Sequence, residues 1–251
     1  MFFICVETML RKRGNCLYFI VKRVLDTVIA AFALVILFPM FVVIAMAIKL
    51  DSPGPVFFKQ GRRTRNGKIF GMYKFRSMVV DAEHMGSGLF NYENDPRVTR
   101  VGSFLRKTSL DELPQLLNIV RGEMALVGPR PCVSYELGDY ETLNARYKKR
   151  FLVLSGITGL AQVSGRNGLS WDEKVNYDNE YIDRIAREGI FLDLKILFRT
   201  VVKVFFKSSI YEERPEGLDD QQAAEESEAR IIELAHRPES SEKMEDMRYV
   251  R

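Results

Sequence analysis

From Thr27 to Ile48 the chain runs for 22 residues without a charged side chain, almost all of them Ala, Val, Ile, Leu, Phe and Met. As an α-helix rising about 1.5 Å per residue the run is roughly 33 Å long, enough for a hydrocarbon core of about 30 Å. It predicts a membrane segment. The run is too long for a signal peptide, and no small-residue cleavage site follows it. Pro39 stands near its middle, where the missing N–H frees the carbonyl of Val35 and kinks or breaks the helix. Flanking charge gives no orientation: Arg11, Lys12, Arg13, Lys22 and Arg23 precede the run, and Lys49, Lys59, Arg62, Arg63, Arg65 and Lys68 follow it. With five cations against six, the positive-inside rule does not choose a side. A helix that turns back at Pro39, leaving both ends in the cytoplasm, removes the conflict. From these residues alone, re-entry and a kinked spanning helix both remain open.

The rest of the chain is globular in composition. Over 251 residues, 47% hydrophobic and 28% charged content excludes wholesale disorder. The net charge of +4 hides two opposite parts: residues 1–210 carry 31 Lys/Arg against 20 Asp/Glu, and residues 211–251 carry 6 against 13. A body of +11 with an acidic tail of −7 points to an anionic partner, whether nucleic acid, phosphate ligand or membrane surface. Cys5, Cys16 and Cys132 lack disulfide or zinc spacing, so the expectation is a reducing compartment, and with His84 and His236 the only histidines, His-based catalysis or a His-ligated metal has few candidates.

The expected fold is α+β and mostly helical. Asp51-Ser-Pro-Gly-Pro55 reads as a turn, Val56–Phe58 as a short strand, and Asn66-Gly67 as a hairpin turn before a strand at Lys68–Met78. Strand alternation places Lys74 and Arg76 on one face, two cations suited to a phosphate site. Residues 81–100 read as a mobile loop. Ser109-Leu-Asp-Glu112 matches a capping box that opens a helix, with Asp111 and Glu112 in a first turn where the macrodipole favours anions and keeps Asp111 ionised. Arg106 lies upstream, and Gly128-Pro-Arg-Pro131 forms a rigid turn that presents Arg130. Carboxylates, arginines and a helix N-terminus are what a magnesium-dependent phosphate chemistry needs. Val133–Leu154 is read as helical, Leu160–Val163 as a strand between Gly-rich loops, and Ser170-Trp-Asp-Glu173 as the cap of a helix running to about Arg187. From Phe191 to Lys207, cations at Lys195, Arg199, Lys203 and Lys207 stripe an apolar helix suited to a membrane interface. The acidic tail reads as solvated, with a helical stretch at Gln221–Ala235.

In order, these features resemble the bacterial sugar transferases, the small monotopic polyprenyl-phosphate phosphoglycosyl transferases. The motifs that carry the resemblance are Lys22-Arg-Val-Leu-Asp26 before a Pro-broken helix, Tyr73-Lys-Phe-Arg-Ser-Met78, Ser109-Leu-Asp-Glu-Leu-Pro-Gln115, Val127-Gly-Pro-Arg-Pro131, Gly156-Ile-Thr-Gly159 with Gln162, and Ser164-Gly-Arg-Asn167. The resemblance covers roughly residues 20–208. It implies transfer of a sugar 1-phosphate from a UDP-sugar to polyprenyl phosphate at the bacterial inner membrane, with release of UMP, in the initiation of polysaccharide or glycoconjugate assembly. It implies Asp111 as nucleophile with Glu112 its partner, Mg²⁺ near Asp111, and phosphate contacts at Arg106 and Arg130. Gln162 and Arg166 are implied on the nucleotide side. It also implies that the broken helix is re-entrant. The chain departs from the family at the break, where Phe38-Pro39 stands in place of the common Ser-Pro pair, and no Ser or Thr occurs between Val28 and Ile48 to serve a freed backbone group.

The expected organisation is thus a basic segment at 1–23, a re-entrant membrane helix at 24–50, a cytoplasmic transferase domain at 51–210 and an acidic tail at 211–251. The expected partners are a UDP-sugar, polyprenyl phosphate and membrane lipid, with no nucleic acid; self-association is open. A non-catalytic membrane adaptor, in which the acid pair only caps a helix, is the alternative from another class.

Overall fold

A computed structural model describes residues 16–85, 95–165, 168–205 and 220–238. The long helix α1 spans Cys16–Asp51 and is helical through Pro39, so the proline does not interrupt it. Packing holds the helix on both sides of that point. Leu37 belongs to a cluster built from Ala30, Met72, Leu116 and Ile119, and Met40 and Phe41 belong to the next one, with Ile44, Ile48, Phe75 and Leu105. One face of α1 is therefore buried against the globular body along its length, while Phe32, Val35, Phe38 and Met46 on the other face are exposed.

Both ends of α1 are fastened to the same body. Near the start, Lys22 Nζ and the Tyr18 hydroxyl donate to Asp193 at 2.9 and 2.8 Å, and Arg23 Nη1 donates to the carbonyl of Ile119 at 2.8 Å. At the far end, Asp51 accepts the backbone N–H of Val101 at 2.9 Å.

The strand expected at Val56–Phe58 is longer, β1 at Phe57–Arg63, and it pairs antiparallel with β2 at Ile69–Phe75. The turn between them carries Asn66 and Gly67 at φ 56° and 73°, as an Asn-Gly hairpin requires. β1 also pairs with the short β4, Cys132–Val133, giving the order β2-β1-β4. A second, parallel pair joins β3 at Ala125–Val127 to β5 at Gly156–Thr158. Next to that pair, a Cβ on Gly156 would lie 2.2 Å from the backbone nitrogen of Gly128, so only glycine allows the approach.

Between the sheets run α2 at Arg100–Thr108 and α3 at Gln115–Val120. The capping box expected at Ser109 is not formed. Ser109 ends α2 in the left-handed region at φ 57°, its side chain makes no cap bond, and Leu110–Glu112 form a single 3-10 turn. α3 starts later, behind Pro114, whose fixed φ suits a helix start. Of the helix expected over Val133–Leu154, only α4 at Ala145–Lys149 and a following 3-10 turn form. Leu160–Val163, expected as a strand, lies in the helix α5, Leu160–Ser164; the strand falls instead on the preceding Gly156–Thr158. A short buried apolar run has no period to separate the two.

Helix α6, Trp171–Glu188, begins with both bonds of the capping box between Ser170 and Glu173. α7, Ile190–Phe205, buries Leu192, Asp193 and Ile196 and exposes Phe191, Leu194, Phe198 and Val201. Lys195 and Arg199 are exposed on it, and Lys207 lies outside the described residues. The expected tail helix is present as α8, Asp220–His236. Its last turns are not solvated. Ala235, Ile231 and Leu234 pack against Leu137, Leu143, Tyr147 and Phe151, and Asn144 donates to the carbonyls of Ala235 and Leu234. Of the loop expected at 81–100, residues 86–94 lie outside the described residues, Ala82–His84 form a 3-10 turn and Arg100 begins α2. The end of the loop is pinned by the buried pair Asp95 and Arg97 at 2.7 Å.

Candidate active site

The reversal at Ser109 and the 3-10 turn after it push Asp111 and Glu112 into a cavity of about 870 Å³. The cavity is bounded by the β1–β2 hairpin, the Gly128-Pro-Arg-Pro131 turn, α5 and the start of α6. Lys74 reaches it from β2 and Arg130 from the turn, and both converge on Glu112. Lys74 Nζ donates to Oε1 at 3.0 Å, Arg130 Nη1 donates to Oε2 at 3.3 Å, and Arg130 Nη2 donates to Oε1. Asp111 is 8% exposed and has no hydrogen-bond partner among the described residues.

Two adjacent carboxylates thus have opposite electrostatics. Burial works against the charge on Glu112, but Arg130 and Lys74 outweigh it and hold its carboxyl well below the usual range. Burial pushes Asp111 up, to about 6, against the pull of Lys74 and with the charge of Glu112 adding to the rise. The expectation that a helix dipole keeps Asp111 low is overturned. The residue sits in a 3-10 turn rather than in a capped first turn, and desolvation dominates.

The other expected residues divide. Arg106, in the last turn of α2, lines the cavity and acts electrostatically on Asp111. Gln162 lines the cavity with neither side-chain amide atom hydrogen-bonded among the described residues. Arg166 lies outside the described residues. Arg76, expected beside Lys74 at a phosphate, also lines the cavity, but its guanidinium is buried and donates to the segment after α1, to Pro53 O at 2.6 Å and Ser52 O at 2.7 Å. Its guanidinium ties the end of β2 to the segment that follows α1. Pro39 lies in α1 and takes no part in the cavity.

Two arginines were not expected. Arg62 donates through Nη1 to Pro131 O at 2.9 Å and so supports the turn that carries Arg130. Arg150, 4% exposed, donates to Arg130 O at 2.7 Å, pairs with Asp178 at 3.0 Å and lies over the Trp171 ring at 4.9 Å. In the sequence it is the last residue of a basic run, with nothing local to mark it as buried. Burial pushes Asp178 up, to about 6, although Arg150 opposes the rise.

No group of three or more His, Cys, Asp or Glu is assembled to hold a metal among the described residues. With Glu112 occupied by two cations, Asp111 is the carboxylate left open to one. Mg²⁺ commonly takes one or two carboxylates and completes its shell with water and substrate phosphate oxygens. A single open carboxylate beside Arg130 and Lys74 fits that mode and does not fit an all-protein cage.

Residues 17–207 match the family described as bacterial sugar transferase. The chain is 42% identical over 200 residues to a UDP-glucose:undecaprenyl-phosphate glucose-1-phosphate transferase of Xanthomonas campestris pv. campestris, covering 77% of this chain and 41% of that protein. It is 42% identical over 195 residues to the galactosyl transferase CpsE of Streptococcus agalactiae serotype III, covering 73% of this chain and 42% of that one. With the exopolysaccharide production protein ExoY of Rhizobium meliloti it shares 40% identity over 204 residues, covering 76% of this chain and 88% of the relative. The chain therefore spans about two fifths of the length of the first two relatives and most of the third.

Proposed function

This chain belongs to the bacterial sugar transferase family, and from that premise we propose that it transfers a sugar 1-phosphate from a UDP-sugar to polyprenyl phosphate at the cytoplasmic face of the inner membrane, releasing UMP. The observation that carries the reading is the bare, buried carboxylate of Asp111 beside a Glu112 already neutralised by Lys74 and Arg130.

A nucleophile must keep its lone pairs free, and no donor among the described residues occupies those of Asp111. Its oxygen attacks the sugar-bearing phosphorus, a carboxyl–phosphorus bond forms, and the bond to the bridging oxygen breaks with its electron pair leaving on UMP. An oxygen of the lipid phosphate then attacks the same phosphorus and returns the electron pair to Asp111. Charge builds on phosphoryl oxygens in both steps, and Arg130, Lys74 and Arg106 are the cations facing it. Glu112 is too strongly held as an anion to be a good base near neutral pH. Its role is to fix the two cations that grip it. Asp111 is the residue that would hold Mg²⁺, whose chemistry when bound would be to neutralise diphosphate charge.

The packing of α1 and α7 supports a reading of membrane placement. A spanning helix normal to the bilayer would carry roughly 30 Å of its length away from a cytoplasmic domain. α1 instead keeps one face on that domain from Lys22 to Ile48 and has both ends fastened to it. We read α1 as set into one leaflet by its exposed face, with both ends cytoplasmic, and α7 as lying beside it in the interface. Similar identity to a glucose-1-phosphate transferase and to a galactosyl transferase leaves the sugar unassigned.

The test is a single turnover without lipid. With a labelled UDP-sugar and Mg²⁺, the protein should release one UMP per chain and retain the sugar phosphate covalently. A chain that releases no UMP until lipid is added would refute the covalent route.

A further inference from the structure

Helix α8 lies outside residues 17–207, the part of the chain that matches the family, yet it shares an apolar cluster with the wall of the cavity. Ala235 is fully buried, and Ile231 and Leu234 pack with it into a cluster that contains Cys132, Tyr147, Phe151 and Trp171. Cys132 and Trp171 also line the cavity. Cys132 stands two residues after Arg130, Phe151 follows Arg150, and the Trp171 ring lies against the Arg150 guanidinium. The apolar side of α8 thus ends among the neighbours of Arg130 and Arg150.

A polar path runs alongside this packing. The last carbonyls of a helix have no partner within it. In α8 those of Leu234 and Ala235 are taken by one residue, Asn144. Its backbone N–H donates to Ala235 O at 2.9 Å, and its Nδ2 donates to Leu234 O at 3.0 Å. The same side chain caps α4, because Asn144 Oδ1 accepts the backbone N–H of Tyr147 at 2.9 Å. α4 is five residues long, too short to be stable without support, and Arg150 follows its last residue directly. Arg150 in turn donates to Arg130 O at 2.7 Å. Contacts therefore run without a gap from the end of α8 through Asn144, α4 and Arg150 to the turn that carries Arg130.

We propose that Asn144, Ile231 and Leu234 are positioning residues for Arg130: the docked α8 holds α4 in place, and α4 holds the Arg130 turn through Arg150. This rests on the reading of Arg130 as a cation that faces the reacting phosphate, and it makes that site depend on a helix outside the family region. The rival is a helix that adds stability alone. The two roles differ in what is lost with the contact. A stabilising helix sets how many chains are folded, whereas a positioning helix sets how fast each folded chain reacts.

The test uses the full chain in lipid nanodiscs with Asn144→Asp, Ile231→Ala and Ile232→Ala. Aspartate caps a helix as well as asparagine does, so α4 keeps its cap, but the Nδ2 donor is lost and a carboxylate meets Leu234 O. Ile231 faces the cluster and its neighbour Ile232 is 42% exposed, so one truncation is made on two faces of the same helix. Single-turnover UMP release is resolved into rate constant and amplitude, and hydrogen exchange is followed over residues 125–133. Asn144→Asp and Ile231→Ala should lower the rate constant at least about tenfold at the parent's amplitude, as a small displacement of a reacting-site group does. Both should speed exchange at 125–133, and Ile232→Ala should match the parent in rate and exchange. The proposal is overturned if the rate constant is equal in parent and variants, if Ile232→Ala loses as much as Ile231→Ala, or if only the amplitude falls. It is also overturned if exchange rises in α4 and α8 while 125–133 stays as protected as in the parent. Should the parent release no UMP without lipid, the covalent reading fails instead, and exchange at 125–133 still decides whether α8 holds the turn.

Discussion

Asp111 and Glu112 are neighbours in the chain, yet Glu112 is gripped by Lys74 and Arg130 while the Asp111 carboxyl meets no hydrogen-bond donor among the described residues. A carboxylate that is buried and unsupported lowers stability when it ionises, and such a cost is common where a site is kept ready for chemistry. The sign follows from burial. Asp111 is raised to about 6 in the folded chain, so the folded state holds the proton more tightly than the unfolded state does. Its contribution is fully present below the unfolded value of about 4 and is lost as pH rises through about 6. Asp111→Asn should therefore lower turnover at least about 10⁴-fold and raise stability at pH 7 by up to about 3 kcal/mol. Chemical denaturation in a chelator, compared between variant and parent, should show a difference near zero at pH 4 that grows to a plateau above pH 6. A variant less stable than the parent at pH 7 would count against the bare-carboxylate geometry.

Arg130 and Glu112 should behave as one unit. The guanidinium reaches both oxygens of Glu112, a fork that a lysine ammonium cannot reproduce. Arg130→Ala and Glu112→Gln should each lower UMP release by about 10²- to 10³-fold, the range seen when a charge-stabilising donor is lost. The double variant should lie close to the worse single one, because each change already disarms the other group. A double-mutant cycle on single-turnover UMP release measures this directly. Additive losses would mean that the two residues serve different steps.

Much of the scaffold is legible where a local signal carries the whole geometry. Asn66-Gly67 needs positive φ twice, and only a hairpin turn uses that. Ser170 and Glu173 cap α6 through their own side chains. The same four-residue pattern misleads at Ser109, because the preceding helix claims that residue as its end and Pro114 delays the next start. The strand period puts Lys74 and Arg76 on one face but says nothing of how far each side chain travels. Lys74 ends on Glu112, and Arg76 ends on the turn after α1. Arg150 was hidden for a similar reason, since its partners Asp178 and Trp171 lie on a helix that begins about twenty residues later.

The acidic tail offers a prediction that a charge count conceals. Net charge suggests a solvated segment, but Ile231, Leu234 and Ala235 repeat on one side of α8 and bury that side beside Tyr147 and Phe151. Leu234→Asp would place a charge against this cluster. It should cost about 2–4 kcal/mol, combining lost apolar burial with the desolvation of an unpaired carboxylate. Thermal unfolding should shift down by several degrees, while Glu228→Gln on the exposed side of the same helix should leave it unchanged. A shift equal for both variants would mean that the helix does not brace the core.

Arg150 sets the last expectation. It holds the Arg130 carbonyl at 2.7 Å and Asp178 at 3.0 Å while its plane covers Trp171 at 4.9 Å. Nη2 alone makes both polar contacts, and the guanidinium plane supplies the third against the Trp171 ring. In Arg150→Lys the ammonium keeps the buried charge near Asp178, which avoids the large cost of stranding that carboxylate. It cannot keep the Asp178 contact, the Trp171 face and the Arg130 carbonyl at once. The turn bearing Arg130 should then shift on the scale of 1 Å, and displacements of that size commonly reduce turnover by about 10²-fold. The variant should melt within a few degrees of the parent and yet lose kcat for UMP release. Arg150→Met, which strands Asp178 in the interior, should lose stability as well. Equal kinetics in parent and Arg150→Lys would show that the carbonyl contact does not position Arg130.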